Sequence, residues 1–233
     1  MTAPAVETRP ATSVWSMYRA IVGIGLACAL LIVAVFQGTA DRIRQNQAEA
    51  LKKALAEVLP QATSVLAVVD DGGSLVPREG ADLPVFLGYD ENGRLIGAAI
   101  TGIGMGYQDN IRVLYAYSFA EEAITGFKVL ESKETPGLGD KIEVEPHFVA
   151  NFEALDVRLN PDGSALANAL VTVGEGEKQS PWELDGITGA TITSVAIGDI
   201  LNGSAQQWVP LLNRYRDQYA MRPEAPPASE EGS

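Results

Sequence analysis

The stretch DGITGATITS, residues 185–194, governs how the rest of the chain is read. Four hydroxyls, on Thr188, Thr191, Thr193 and Ser194, stand among the small residues Gly186, Gly189 and Ala190. The stretch then runs into a helical pattern, with Val195, Ile197, Ile200, Leu201, Trp208 and Leu212 as its apolar positions and interruptions expected near Gly203 and Pro210. Small residues let the backbone approach a bulky ligand, and the N–H groups and dipole at a helix start attract phosphate. The pattern therefore predicts a site for a bulky, phosphate-bearing ligand. Asp185 either orients this loop or caps the helix.

A second stretch, KETPGLGDKIE at residues 133–143, follows the strand-like ITGFKVLES. Pro136, Gly137 and Gly139 impose a tight, irregular backbone immediately after a strand, where binding groups are often displayed. A plain surface turn has the same composition. Beyond it, Pro146 opens a short helix anchored by Phe148, Val149 and Phe152.

Outward from these two stretches the chain reads as antiparallel hairpins. SVLAVVD at residues 64–70 is a strand, and PVFLGYD and LIGAAIT flank an Asn92-Gly93 pair that signals a hairpin. The glycine-rich GIGMGYQDN reads as a link to the strand IRVLYAYS. LDVRLN and ALANALVTV, separated by Pro161-Asp162-Gly163, are two more strand candidates. The expected fold class is α+β: one mixed domain over residues 61–219, built on antiparallel hairpins. The tail at residues 220–233 is proline-rich and acidic and is expected to be disordered.

Residues 20–40 carry no charge, and 21 helical residues reach roughly 30 Å, the thickness of a bilayer core. This predicts a single transmembrane helix embedded in the lipid bilayer, after a short lead at residues 1–19 in which Trp15 and Tyr18 suit the interface. A cleavable signal peptide ending near Gly38-Thr39-Ala40 is the competing reading. A stalk helix at residues 41–60 follows, with Ile43, Leu51, Leu55 and Val58 or Leu59 near one face. Arg42, Arg44, Lys52 and Lys53 lie beyond the span, against Arg9 and Arg19 before it, so charge alone does not favour export of the domain.

Composition removes several classes of function. Of 17 basic and 30 acidic residues, only Arg9, Arg19 and Glu7 fall in the first 40, so the remainder carries 15 basic and 29 acidic groups. Such a surface repels nucleic acid. With one cysteine, Cys28, inside the apolar run and one histidine, His147, there is little material for a metal site, a disulfide framework or a Ser-His-Asp triad. His147 reads as a surface residue.

Together the anchor, the stalk, ETPGLGDKIE and DGITGATITS resemble the G subunit of the Rnf-type electron transport complex, a protein of the FMN-binding domain family; the C subunit of the sodium-translocating NADH:quinone reductase is related. The resemblance spans most of residues 20–219. It implies FMN joined by a phosphoester to the threonine after Gly-Ala, here Thr191, by a separate flavin transferase. It also implies a bacterial cytoplasmic (inner) membrane location with the domain on the periplasmic side, and an electron-relay role beside other subunits of an ion-translocating complex, with no substrate turnover of its own. On this reading Glu134, Thr135 and the backbone of Gly137 and Gly139 hydrogen-bond the flavin, and Leu138 packs on its ring. Gly189 and Ala190 leave room at the phosphate, with Asp185, Thr188 and Thr193 around it. The other reading is a non-redox, membrane-anchored binding module in which TGAT caps a helix and ETPGLG is a turn.

Overall fold

The computed structural model describes residues 14–78, 80–81 and 83–223. Residues 1–13 of the expected lead and the tail from residue 224 lie outside the described residues. The chain divides into two units, residues 1–49 and 50–233.

Span and stalk, read separately in the sequence, are one helix, α1 (Val14–Val58). No proline falls within it, and residues 40–56 are mostly Ala, Leu, Glu, Lys, Arg and Gln, all good helix formers, so nothing breaks the backbone after the apolar run. In the first unit the apolar side chains, such as Leu30 and Phe36, are exposed, and Ile43 is exposed too. The last turns of α1 belong to the second unit and are part of its core. Ala54, Val58 and Leu59, with Leu51 and Leu55, pack on Phe86, Ala99, Leu114 and Ala116 on one face of the sheet.

That sheet has seven antiparallel strands: β1 (Ser64–Asp70), β2 (Leu75–Pro77), β3 (Val85–Tyr89), β4 (Leu95–Met105), β5 (Asn110–Ser118), β6 (Ala123–Glu131) and β7 (Leu155–Asp156). Their spatial order is β2-β1-β3-β4-β5-β6-β7, so β3 to β6 form a meander. The expected β3–β4 hairpin turns on Asp90, whose Oδ1 accepts from the N–H groups of Asn92 and Arg94, each at 2.9 Å. The short helix α2 (Pro146–Val149) begins at Pro146 as expected.

Two expectations differ from the structure. Residues 102–105 are not a link: β4 continues through them, paired with β5 as far as Met105 opposite Asn110, and the turn is confined to residues 106–109. The glycines serve helix α3 (Thr191–Tyr215), which lies across this part of the sheet. A Cβ on Gly102 would meet Ile200 Cγ2 at 2.7 Å, and one on Gly104 would meet Ile200 Cγ1 at 2.5 Å, so only glycine lets the helix approach so closely. The segment 155–182, in turn, holds less strand than its pattern suggests. It contributes only β7 and β8 (Val171–Val173), the latter paired in parallel with β9 (Glu183–Asp185), because between them backbone pairing is limited to one isolated bridge, Leu159 with Leu166, and side chains take several of the remaining N–H groups. The Oδ1 atoms of Asn160 and Asp162 both accept from the Ser164 N–H, and Asn202 Oδ1 accepts from the Leu170 N–H.

Helix α3 buries Ile197, Ile200, Leu201, Ala205, Trp208, Val209 and Leu212 against the sheet, whereas Val195 is exposed. Gly203 and Pro210 do not interrupt it; the packing of its buried face holds the helix through both positions. Gly104→Ala is expected to lower stability by about 1–3 kcal/mol, the usual cost of overpacking. Urea unfolding followed by tryptophan fluorescence measures this. In Gly104→Ala/Ile200→Ala the loss should be smaller than the sum of the two single losses, since the clash and its partner are removed together.

Candidate functional site

Strand β6 ends at Glu131, and three residues later Glu134 turns inward; it is only 7% exposed. Its Oε2 accepts the Thr193 hydroxyl at 2.7 Å and its Oε1 accepts the Gln108 N–H at 3.0 Å. A Cβ on Gly106 would lie 2.5 Å from Oε1, and one on Gly139 would lie 2.5 Å from Oε2, so these two glycines form the slot that admits the carboxylate. After Glu134 the chain reverses tightly, with the N–H groups of Leu138 and Gly139 both donating to the Thr135 carbonyl at 3.1 Å. A short 3-10 helix (Gly139–Glu143) follows.

On the other side, β9 delivers residues 185–194. Ser194 Oγ accepts the Ile187 N–H at 3.2 Å and donates to the Ala190 carbonyl at 3.0 Å, which folds the loop back on the first turn of α3. Gly189 sits at φ 84°, a conformation that favours glycine. Among the described residues no side chain caps α3, so its first N–H groups remain available to a ligand.

Between the two loops lies a cleft of about 310 Å³. Thr135, Leu138 and Gly139 line one side, Gly189, Ala190, Thr191 and Thr193 the other. Glu134 stands directly behind Thr193, and Gly137 is exposed in the same turn without lining the cleft. Two lining residues escaped the sequence reading: Tyr107, on the β4–β5 turn and 61% exposed, and Ile192, 60% exposed on α3. A large apolar side chain directly after the attachment candidate was the available signal for Ile192.

Asp185 and Thr188 do not line the cleft. Asp185 does not cap α3 either, whose N-cap position is Ala190. Its Oδ1 accepts the Gly176 N–H at 2.6 Å, and its backbone N–H and carbonyl are both held by the buried Asn151 amide. Asp185 thus fixes the loop that carries Glu175, and Glu175 Oε2 accepts the Thr188 N–H at 2.9 Å. Hydrogen bonding from Thr188, side chain and backbone, holds the Glu175 carboxyl below the usual carboxylate range.

Two charged side chains missed in the sequence flank the loop. Lys141 Nζ lies 4.0 Å from where a Cβ on Gly189 would stand, and among the described residues no carboxylate forms an ion pair with it. His147 is half-buried rather than a free surface residue. Its Nε2 bonds the Gly186 carbonyl at 3.1 Å, with Glu145 at 3.3 Å from Nδ1 and Glu175 at 3.9 Å from Nε2. Burial alone lowers its pKa, but the Gly186 carbonyl and the Glu175 and Glu145 carboxylates outweigh it and raise the pKa above the ordinary histidine value.

An antiparallel sheet crossed by one long helix, with a cleft between a Pro-Gly turn and a threonine-rich helix start, is the architecture of an FMN-binding domain: residues 106–206 match the family model of that description, and residues 21–58 match the RnfG N-terminal region. The G subunit of the ion-translocating oxidoreductase complex of Methanosarcina acetivorans is 32% identical over 185 residues, covering 79% of this chain and 88% of the relative. The G subunit of the Na(+)-translocating ferredoxin:NAD(+) oxidoreductase complex of Acetobacterium woodii is 33% identical over 187 residues, covering 77% and 83%. The chain belongs to this family of G subunits. Its fold is also that of the C subunit of the Na(+)-translocating NADH-quinone reductase from Parabacteroides distasonis, with a TM-score of 0.57 at 22% identity over 73% of this chain and 96% of that one.

Because the folded state raises the His147 pKa, its cation stabilises the fold fully below about pH 6.5, the unperturbed value. That stabilisation is lost as pH rises through the higher folded value. The midpoint of thermal unfolding is therefore expected to fall across this window in the natural chain, and the fall should be smaller in His147→Gln.

Proposed function

We propose that the chain is the membrane-anchored flavoprotein member of an ion-translocating electron transport complex, carrying FMN as a phosphoester on Thr191. The observation that carries this reading is the state of the four hydroxyls in residues 185–194. Thr193 is 2% exposed and donates to Glu134, and Ser194 is buried between Ile187 and Ala190. Thr188 faces the Glu175 carboxylate, whose charge opposes a phosphate there. Thr191 is exposed, lines the cleft and begins α3, where the helix dipole favours an anion.

The cleft fits such a group. Tyr107, Leu138 and Ile192 offer apolar surface for a flat ring, and Lys141 and the uncapped helix start supply positive potential near the ester. When bound, FMN supplies the redox chemistry. The protein's part is to position it. Glu134 locks the α3 start to the 134–139 turn, Ser194 holds the 187–190 backbone against it, and Thr135 offers a hydroxyl at the rim. No residue here is required as a general acid or base for electron relay. A flavin transferase installs the cofactor, and other members of the complex donate and accept the electrons.

Residues 20–40 of α1 serve as the bilayer anchor: their side chains are exposed and uncharged over a bilayer's thickness. The domain, residues 61–219 with the last turns of α1, stands on the periplasmic side of the inner membrane, as the family resemblance implies, although the flanking charges run the other way.

Two measurements test this. In protein made with the flavin transferase, denaturing gels should show a fluorescent flavin band that persists in Thr188→Ala and Thr193→Ala and vanishes in Thr191→Ala; an unlabelled natural chain would overturn the reading. In a Cys28→Ser background, a cysteine placed at exposed Ser164 should react with a membrane-impermeant maleimide added to intact cells. Reaction only after lysis would place the domain inside.

A further inference from the structure

The outer edge of β6 is left uncovered along most of its length. Strand β7 pairs only with Ala123 and Ile124, which are buried. From Thr125 to Glu131 the strand bonds β5 alone among the described residues, and its side chains become half-buried or exposed. On an edge strand every second residue turns its N–H and C=O away from its neighbour, so this segment presents unsatisfied backbone groups. Register shifts against β5 lie near Thr125 and near Leu130, which leaves Gly126 to Val129 as a regular template of four residues.

A groove of about 510 Å³ runs along this edge, larger than the cofactor cleft. Its floor is Phe127 stacked on Phe152, with centroids 4.2 Å apart and planes 16° from parallel. Val144, 73% exposed, stands on its wall. The rim carries Glu57, Glu143 and Glu153, and the one lysine on it among the described residues, Lys128, is paired with Glu57 at 2.8 Å. Glu143 and Glu153 have no cation in ion-pair range among the described residues, and burial raises the pKa of Glu143.

We infer that this groove docks an extended, basic segment of a partner polypeptide, added as a short strand along residues 126–129, with apolar side chains on Phe127 and Val144 and Lys or Arg on Glu143 and Glu153. Charge decides among occupants. An acidic rim repels a lipid phosphate or a nucleic acid, and a second copy of a chain with a net charge of −13 meets like charge. A basic strand satisfies the free backbone groups and both acids at once. The segment 138–144 serves both cavities, giving Leu138 and Gly139 to the cleft and Ile142, Glu143 and Val144 to the groove.

The test places a photoreactive amino acid at Val144 of the full chain in the complex purified from its own membranes. The expected result is an adduct with another polypeptide of the complex, mapped by mass spectrometry to a segment rich in Lys or Arg. Its yield should drop on the order of tenfold in Glu143→Lys/Glu153→Lys, with a smaller drop in Glu143→Gln/Glu153→Gln, while the flavin band at Thr191 stays unchanged and reports an intact fold. Absence of a polypeptide adduct, an adduct to lipid, to a second copy or to a segment without basic residues, or a yield indifferent to both double variants would overturn the proposal. Loss of the flavin band from the natural chain would instead count against the cofactor reading alone.

Discussion

The hydrogen bond from the Thr193 hydroxyl to the Glu134 carboxylate, 2.7 Å long and buried, is the constraint on which the cleft depends. It joins two segments 59 residues apart: the exit of β6 and the first turn of α3. A carboxylate in this position would be costly without partners, and a hydrogen bond to a charged group contributes about 1.5–3 kcal/mol. With the Gln108 N–H on its other oxygen, Glu134 also holds the β4–β5 turn that carries Tyr107. Three segments that supply cleft walls therefore converge on one side chain.

The convergence requires close approach, and the sheet supplies it through glycine. Gly102 and Gly104 admit Ile200, which sets the depth at which α3 rests on β4, while Gly106 and Gly139 admit the Glu134 carboxylate at the helix start. A side chain at any of these positions would push α3 away from the sheet or Glu134 out of its slot. A second layer supports the loop from behind: the Asn151 amide holds the Asp185 backbone, Asp185 holds the loop of Glu175, and Glu175 with Glu145 holds His147 against the Gly186 carbonyl.

Much of this was legible in the sequence because it is encoded locally. The Asn92-Gly93 hairpin, strand β1, the start of α2 at Pro146 and the long apolar α3 each follow from turn chemistry or periodicity within one element. The cleft residues Thr135, Leu138, Gly139, Gly189, Ala190, Thr191 and Thr193 came from two motifs with distinct composition. What was not legible depends on contacts between distant segments. The glycines of β4 read as a link because the helix that explains them lies about 100 residues on. Asp185 read equally well as orienting the loop or as a cap, and the sequence did not decide between them because Gly176 and Asn151, its actual partners, carry no local signal. Lys141, His147 and Tyr107 are ordinary residues in the sequence and become part of the site only when the loops meet.

A tether also accounts for what the cleft lacks. A cofactor held only by non-covalent contacts needs a deep pocket and several groups on its phosphate, whereas here the walls include the exposed Leu138, Ile192 and Tyr107, and among the described residues the positive charge near the loop comes from Lys141, from His147 when protonated and from an uncapped helix start. On the proposed reading this is sufficient, because one covalent bond at Thr191 replaces binding affinity with a high effective concentration. The cleft is then free to be shallow. On the same reading a shallow cleft would leave a redox-active ring accessible at the protein surface for electron exchange with neighbouring subunits, while the buried Glu134–Thr193 pair would hold the start of α3, and Thr191 with it, in place.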